Sequence, residues 1–117
     1  MSTMKKFENQ KNPQIPTVTI RKNGTLCINN KATQQFKLDE MRTATLYHDS
    51  KESVMGIKPT KDDKDPSAFR ISKEKGRVST ISCRAFLKHI GIPYKEGSKI
   101  YPADWDEKEG MIFVKLG

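Results

Sequence analysis

Three pairs of short alternating segments, each joined by a brief polar turn, limit what residues 17–81 can fold into. Within each segment, apolar residues recur at every second position, which is the period of a β-strand with one buried face. A polar turn of a few residues between two such segments is typical of an antiparallel hairpin. We therefore predict an α+β fold, in which a curved antiparallel β-sheet of hairpins is backed by a short helix.

The first pair of segments, residues 17–21 and 25–29, flanks an Asn-Gly dipeptide. The register depends on the length of the loop between them. A three-residue loop with Gly24 in the left-handed conformation places Ile20 opposite Leu26, so that apolar residues face each other. We predict this loop in preference to a two-residue turn.

The second pair, residues 43–48 and 53–58, is joined by a polar turn. Its predicted register pairs Leu46 with Met55, and those residues belong to the core face. The opposite face then carries Thr43, Thr45, Tyr47, Gly56 and Lys58. An exposed ring beside a cation is suited to contact a nucleic-acid base and its phosphate.

The third pair, residues 68–72 and 77–81, encloses a turn over residues 73–76. The predicted register pairs Ile71 with Val78 on the core face. The other face then carries Arg70, Ser72, Arg77 and Ser79. This hairpin is therefore predicted to present a basic side to solvent.

A helix over residues 83–90 follows, with Ser82 as its predicted N-cap and Gly91 just after its end. One or two helical turns are also predicted over residues 31–37, started by Asn30. The helix over 83–90 carries apolar residues that we expect to cover one face of the sheet.

The chain is long enough for one domain, which we assign to residues 17–117, preceded by a flexible N-terminal arm over residues 1–16. The last predicted strand, residues 111–116, has apolar residues on both faces. Only 34% of the residues are hydrophobic, so a second chain would help to complete the core. We therefore predict a homodimer whose interface is extended by this C-terminal strand.

The charge balance favours a polyanionic partner. The chain has 22 Lys and Arg residues against 14 Asp and Glu residues, a net charge of +8. Residues 58–99 carry a local charge of +6, whereas residues 100–117 carry −2. The basic middle predicts a nucleic-acid surface, and the acidic C-terminal segment predicts a separate surface for a protein partner.

No motif for catalysis, phosphate binding or zinc binding is present in the sequence, so we expect no enzyme activity, cofactor or metal. The histidines His48 and His89 are interpreted as isolated surface or packing residues. The cysteines Cys27 and Cys83 are far apart and are interpreted as reduced thiols. The acidic loop over residues 62–65 is interpreted as solvated, with a divalent-cation site as the weaker alternative.

The sequence contains neither an apolar run long enough to span a membrane nor the apolar core of a secretory signal. We expect a cytoplasmic protein of a bacterium or of a phage-infected host cell, with no membrane partner.

A single-strand binder needs cations along the phosphates and rings on which bases stack. The candidate nucleic-acid-binding residues are Arg21, Lys22, Tyr47, Lys58, Arg70, Lys73, Lys75 and Arg77. They are chosen because the predicted hairpins place them on one side. From these residues we predict binding of single-stranded DNA.

Residues 75–87, KGRVSTISCRAFL, resemble a feature of the positive-cofactor-four family of transcriptional coactivators, in which a basic glycine turn precedes a strand and a capped helix. The first hairpin is similar to the opening hairpin of that family. The resemblance implies a homodimer that binds single-stranded or unwound DNA across its sheet, with roles in transcription or, in phages, replication or recombination. It nominates Arg21, Lys22, Lys75 and Arg77.

Three alternatives remain open at this stage. A small β-rich dimer that regulates transcription would bind one duplex sequence far better than a single strand. A binder of single-stranded RNA would use the same stacking and phosphate contacts. A structural or adaptor protein would act through the acidic C-terminal segment.

Overall fold

The structure, a computed structural model, describes residues 15–62, 64–75 and 77–117. The described chain forms nine short strands and two short α-helices. The strands are β1 (Thr17–Ile20), β2 (Thr25–Ile28), β3 (Thr43–Asp49), β4 (Val54–Thr60), β5 (Phe69–Glu74), β6 (Val78–Ser82), β7 (Lys99–Pro102), β8 (Asp104–Asp106) and β9 (Met111–Lys115). The helices are α1 (Asn30–Gln35) and α2 (Arg84–His89).

All nine strands belong to one antiparallel sheet of order β7-β1-β2-β6-β5-β3-β4-β9-β8. The strands at its two ends, β7 and β8, are consecutive in the chain and are separated only by Ala103. Residues 99–106 therefore pair with β1 through their first half and with β9 through their second half. The predicted antiparallel sheet is confirmed, but it is nearly closed and barrel-like.

The core fills the inside of this sheet. Its largest fully buried side chains are Val18, Ile20, Leu26, Ile28, Thr33, Leu38, Met55, Ile57, Ile81, Leu87, Ile112 and Val114. Burial of each aliphatic side chain of this size contributes about 1.5–3 kcal/mol to the free energy of unfolding, compared with leaving it exposed to water. The alternation of strand residues sends every second side chain inward and the others to the outer face.

The first hairpin has the predicted register. Ile20 lies opposite Leu26, and Gly24 adopts a left-handed φ of 82°. A Cβ atom at Gly24 would collide with the side chain of Arg84, which packs over the loop from α2. This position therefore requires glycine both for its backbone conformation and for the close approach of the helix.

The predicted register of the second hairpin is wrong by two residues. Leu46 lies opposite Ile57 instead of Met55, because the four-residue turn lies one residue later in the chain, at residues 50–53, and ends at Ser53, whose φ is 54°. A shift of two residues keeps every side chain on its face. Tyr47 therefore remains on the outer face, as predicted, opposite Gly56.

The predicted register of the third hairpin is wrong by three residues. Ile71 lies opposite Ile81 instead of Val78, and β5 extends to Glu74. An odd shift moves side chains to the other face. Ser79, predicted on the basic side, is fully buried, and its hydroxyl lies 2.9 Å from that of Thr33 in α1.

Both predicted helices are present, although their caps differ from the predictions. Asn29, instead of Asn30, is the N-cap of α1, and its side chain accepts a hydrogen bond from the Ala32 amide. Ser82 is the last residue of β6 and does not cap α2. The predicted end of α2 is confirmed by the left-handed Gly91, whose amide donates to the carbonyl of Lys88.

The C-terminal strand β9 lies between β4 and β8 of the same chain. Its inner side chains Ile112 and Val114 are fully buried. Beside it, Trp105 stacks on Phe36 with the ring centroids 5.4 Å apart. Strand β9 is thus paired on both sides within one chain, and the homodimer stays a prediction. Neither α1 nor α2 has the length and apolar composition needed to cross a bilayer.

Replacing Trp105 by alanine is expected to lower the free energy of unfolding by about 2 kcal/mol, because the stack on Phe36 and part of the apolar contact are lost. Urea denaturation followed by circular dichroism measures this change. Tryptophan fluorescence cannot be used, because Trp105 is the single tryptophan and the variant lacks it. Ile100→Ala is the control, because Ile100 is 62% exposed and its loss should cost less than about 0.5 kcal/mol. Equal unfolding midpoints for the two variants would contradict a stabilising role of this stack.

Candidate nucleic-acid interface

The sheet has an opening where β5 separates from β3. The two strands pair only at two positions, where Thr43 lies opposite Arg70 and Ala44 lies opposite Phe69. Beyond them, the Ile71 amide donates to the carbonyl of Arg42 at 2.8 Å. A cleft of about 440 Å³ lies here, lined by Asp39, Glu40, Met41, Arg42, Thr43, Arg70, Ile71 and Lys73. We call it the basic cleft.

Cations outnumber free carboxylates in the basic cleft. Arg42, Arg70 and Lys73 line it, and among the described residues none of the three makes a salt bridge. Of the two acidic residues, Glu40 is paired with Lys61 at 3.0 Å. Burial lowers the pKa of Lys73 below its ordinary value, although the charge of Asp39 opposes this effect. The cleft therefore offers a concave, positively charged surface.

The outer face of β3 leads away from the basic cleft past two further candidate residues. Arg70 lies opposite Thr43, Lys58 lies opposite Thr45, and Tyr47 follows two residues later. Four residues of strand correspond to about 13 Å. Arg70 and Lys58 thus flank β3 from its two neighbouring strands, on the same face as Tyr47, which is 46% exposed.

A second concave surface lies between α2 and the end of β3. It is lined by Leu46, Tyr47, His48, Ser50, Phe86, His89 and Ile90. We call it the ring groove, because four of these residues carry aromatic or imidazole rings and none carries a carboxylate. A surface of this composition can stack on planar ligands without repelling an anion.

Arg21, a predicted candidate, is engaged elsewhere. Its guanidinium lies 3.3 Å from a carboxylate oxygen of Glu74 and donates to the Cys27 sulfur at 3.1 Å. The hydrogen bond with Glu74 raises the pKa of Arg21. Arg21 therefore neutralises the acidic residue that stands between the basic residues at the end of β5.

The remaining candidates lie in exposed turns. The register of β2 with β6 places the turn that carries Lys22 and the turn that carries Lys75 and Arg77 at opposite ends of these strands. Arg77 adopts a left-handed φ of 59°, and Gly76 lies outside the described residues. Lys75 and Arg77 continue the basic run of β5 beyond Lys73, whereas Lys22 stands apart from it.

Sequence reasoning missed four residues of these surfaces. Arg42 precedes β3 and was not assigned to any face, although it enters the basic cleft. His48 and His89 were interpreted as isolated, but both line the ring groove with Phe86, which is only half-buried. His48 and His89 are far apart in the sequence, so the sequence does not indicate that they line the same groove. Only the fact that Arg42 directly precedes a predicted strand could have nominated it.

The cysteines and the acidic loop take no part in these surfaces. Burial raises the pKa of Cys83 to about 12 and also raises that of the half-buried Cys27. The carboxylate of Asp62 accepts the Lys64 amide, and that of Asp65 accepts the Ser67 amide. Asp63 lies outside the described residues. In the part of the chain that the structure describes, no His, Cys, Asp and Glu side chains form a group able to hold a metal ion.

Comparison with known proteins does not indicate a function. No protein-family model, curated protein or solved structure matches this sequence or its fold. The resemblance to the positive-cofactor-four family therefore stays a prediction from the sequence.

The pKa of Lys73 provides a test of the basic cleft. We expect its ammonium group to lose its proton below the ordinary range for lysine, and Asp39→Asn to lower that pKa further by removing the stabilising charge. An NMR titration of the Lys73 side-chain signals measures both effects. Glu96→Gln, in an exposed turn after α2, is the control. An unchanged Lys73 pKa in Asp39→Asn would show that the two groups do not face each other.

Proposed function

We propose that the protein binds single-stranded DNA without reading its sequence, along β3. The observation that carries the proposal is the course of β3, which runs from the basic cleft, past Lys58, to the ring groove. Binding of this kind serves replication, recombination or transcription. The predicted homodimer would carry two such surfaces.

The basic cleft would hold the phosphates. Arg42, Arg70 and Lys73 line the opening of the sheet. Binding of phosphates by these cations releases the counterions condensed on the nucleic acid, which favours association at low salt. Because Arg21 neutralises Glu74, the turn that carries Lys75 and Arg77 extends the same positive surface.

The ring groove would hold the bases. Each base has a π-face, so stacking on Tyr47, Phe86 or the imidazoles of His48 and His89 favours all bases alike. In a duplex these faces are covered by neighbouring base pairs. Single strands are therefore the expected ligand, and sequence tolerance is a consequence of the stacking contact.

Replacing Arg70 or Lys73 by alanine is expected to weaken binding to all single-stranded sequences by about 1 kcal/mol, or roughly fivefold in Kd. Each variant should also lower the salt slope by roughly 0.7, as expected for one lost phosphate contact to a single strand. Fluorescence anisotropy at several salt concentrations measures both quantities.

Lys108→Ala is the matched control for these variants, because it removes the same charge from the exposed turn between β8 and β9. Its binding should match that of the unchanged protein. A loss confined to one DNA sequence, or an equal loss in the control, would contradict the proposed role of the cleft.

Tyr47→Ala is expected to weaken single-strand binding by about 1–3 kcal/mol, or roughly 5- to 150-fold, since one stacked base is lost. Tyr47→Phe retains the ring and should bind within about twofold of the unchanged protein. Anisotropy against a mixed-sequence single strand, its duplex and the matching RNA gives the comparison. Tighter binding to the duplex, or no binding to any of the three, would overturn the proposed function.

A further inference from the structure

A third surface on the outer face has a composition that does not suit a nucleic acid. It is a hollow around Gly56, lined by Tyr47, His48, Asp49, Glu52, Val54, Gly56, Asp106, Met111 and Phe113. We call it the acidic hollow. Its lining includes three carboxylates and neither lysine nor arginine, so it would repel phosphates.

The floor of the acidic hollow is apolar, although it belongs to the outer face of the sheet. Phe113 lies opposite Gly56, and the Met111 sulfur would be 2.8 Å from a Cβ atom at Gly56. The half-exposed ring of Tyr47 stands on the other side of this glycine. Apolar groups clustered on an outer sheet face commonly mark an interaction site, and a flexible methionine adapts to its ligand.

The rim of the hollow is negatively charged and fixed in place. Asp49 accepts the backbone amides of Lys51 and Glu52 at 3.0 and 3.2 Å. Asp106 accepts the amides of two residues in its own turn at 3.0 and 3.1 Å. Among the described residues, neither carboxylate forms a salt bridge. Two held carboxylates beside an apolar floor therefore fit a ligand that is both cationic and apolar.

We propose that the acidic hollow binds a peptide segment of a partner protein in which lysines or arginines flank an aromatic or long apolar side chain. The apolar side chain enters between Tyr47, Met111 and Phe113. The flanking cations contact Asp49 and Asp106. This proposal does not rest on the proposed binding of DNA, because the charge and the apolar floor of the hollow differ from those of the basic cleft. Tyr47 and His48 line both the hollow and the ring groove.

The test is an NMR titration of the ¹⁵N-labelled full chain with the capped peptide KKFKK. We expect saturable shifts centred on the amides of Gly56, Met111 and Phe113. The peptide KKAKK, which lacks the ring, and the peptide EEFEE, which reverses the charge, should each bind at least fivefold more weakly. Equal affinity for KKFKK and KKAKK, or shifts spread over the whole surface, would overturn the proposal.

Asp106→Asn is the informative variant, because an asparagine oxygen can still accept the amides of the turn while the charge is removed. It should weaken KKFKK binding severalfold, and Glu96→Gln, which removes a charge from a remote turn, should leave it unchanged. An unchanged affinity in Asp106→Asn would count against the proposed contact.

Three further outcomes would assign the hollow to another occupant and overturn the partner proposal. The same amide signals would shift with protein concentration alone if a second copy binds there. Binding of KKFKK only after Lys5→Glu and Lys6→Glu would mean that the chain's own N-terminal residues occupy the site. Shifts of the Met111 and Phe113 amides on addition of single-stranded DNA, and not only of the Gly56 amide opposite Tyr47, would make the hollow part of the nucleic-acid surface.

Discussion

The pairing of residues 99–106 with two strands at once is the constraint on which the rest of the structure depends. This segment bonds to β1 through β7 and to β9 through β8, so it joins the two ends of the sheet. Ala103 is buried between them, and its amide donates to the Pro16 carbonyl at 3.0 Å. The stack of Trp105 on Phe36 attaches the end of α1 to the same segment. Because closure leaves little freedom in the sheet, the position of β3 between β5 and β4 is set from both ends.

The two surfaces proposed to bind DNA lie where strand pairing is incomplete. The pairing of β5 with β3 ends after Thr43 and Ala44, so the last part of β3 has a sheet neighbour only on the side of β4. The basic cleft lies on one side of these paired positions, and α2 approaches the unpaired part of β3 on the other side to form the ring groove. A regular pair of strands would fill both spaces with cross-strand contacts. Local departures from an ideal sheet are common at functional sites, because a ligand needs groups that the fold has left unpaired.

The predictions that succeeded depend on local chemistry. The register of the first hairpin follows from Gly24, and the end of α2 follows from Gly91, since both glycines adopt the left-handed conformation. The outer position of Tyr47 was predicted correctly from an incorrect register, because a two-residue shift preserves the faces.

The predictions that failed depend on contacts between residues far apart in the chain. The third hairpin was misassigned because its register is set by the pairing of Ile71 with Ile81 and by the buried contact of Ser79 with Thr33. The residues of the turn do not indicate these long-range contacts. The entry of Arg42 into the cleft, and of the two histidines into the ring groove, likewise depends on how the sheet closes. Sequence patterns therefore specified individual hairpins better than the surfaces formed between them.

The separation of charge along the sequence has a partial counterpart on the folded chain, where Asp106 of the acidic C-terminal segment joins Asp49 and Glu52. The basic residues of β5 lie on one side of β3, while acidic residues from the turn after β3 and from β8 surround the hollow on the other side. Tyr47 stands at the boundary, because its ring lines both the ring groove and the acidic hollow. A ring that stacks on a base cannot at the same time cover an apolar side chain in the hollow. Under the two proposals, occupation of either surface therefore changes the free energy of binding at the other, and by linkage the effect is equal in both directions.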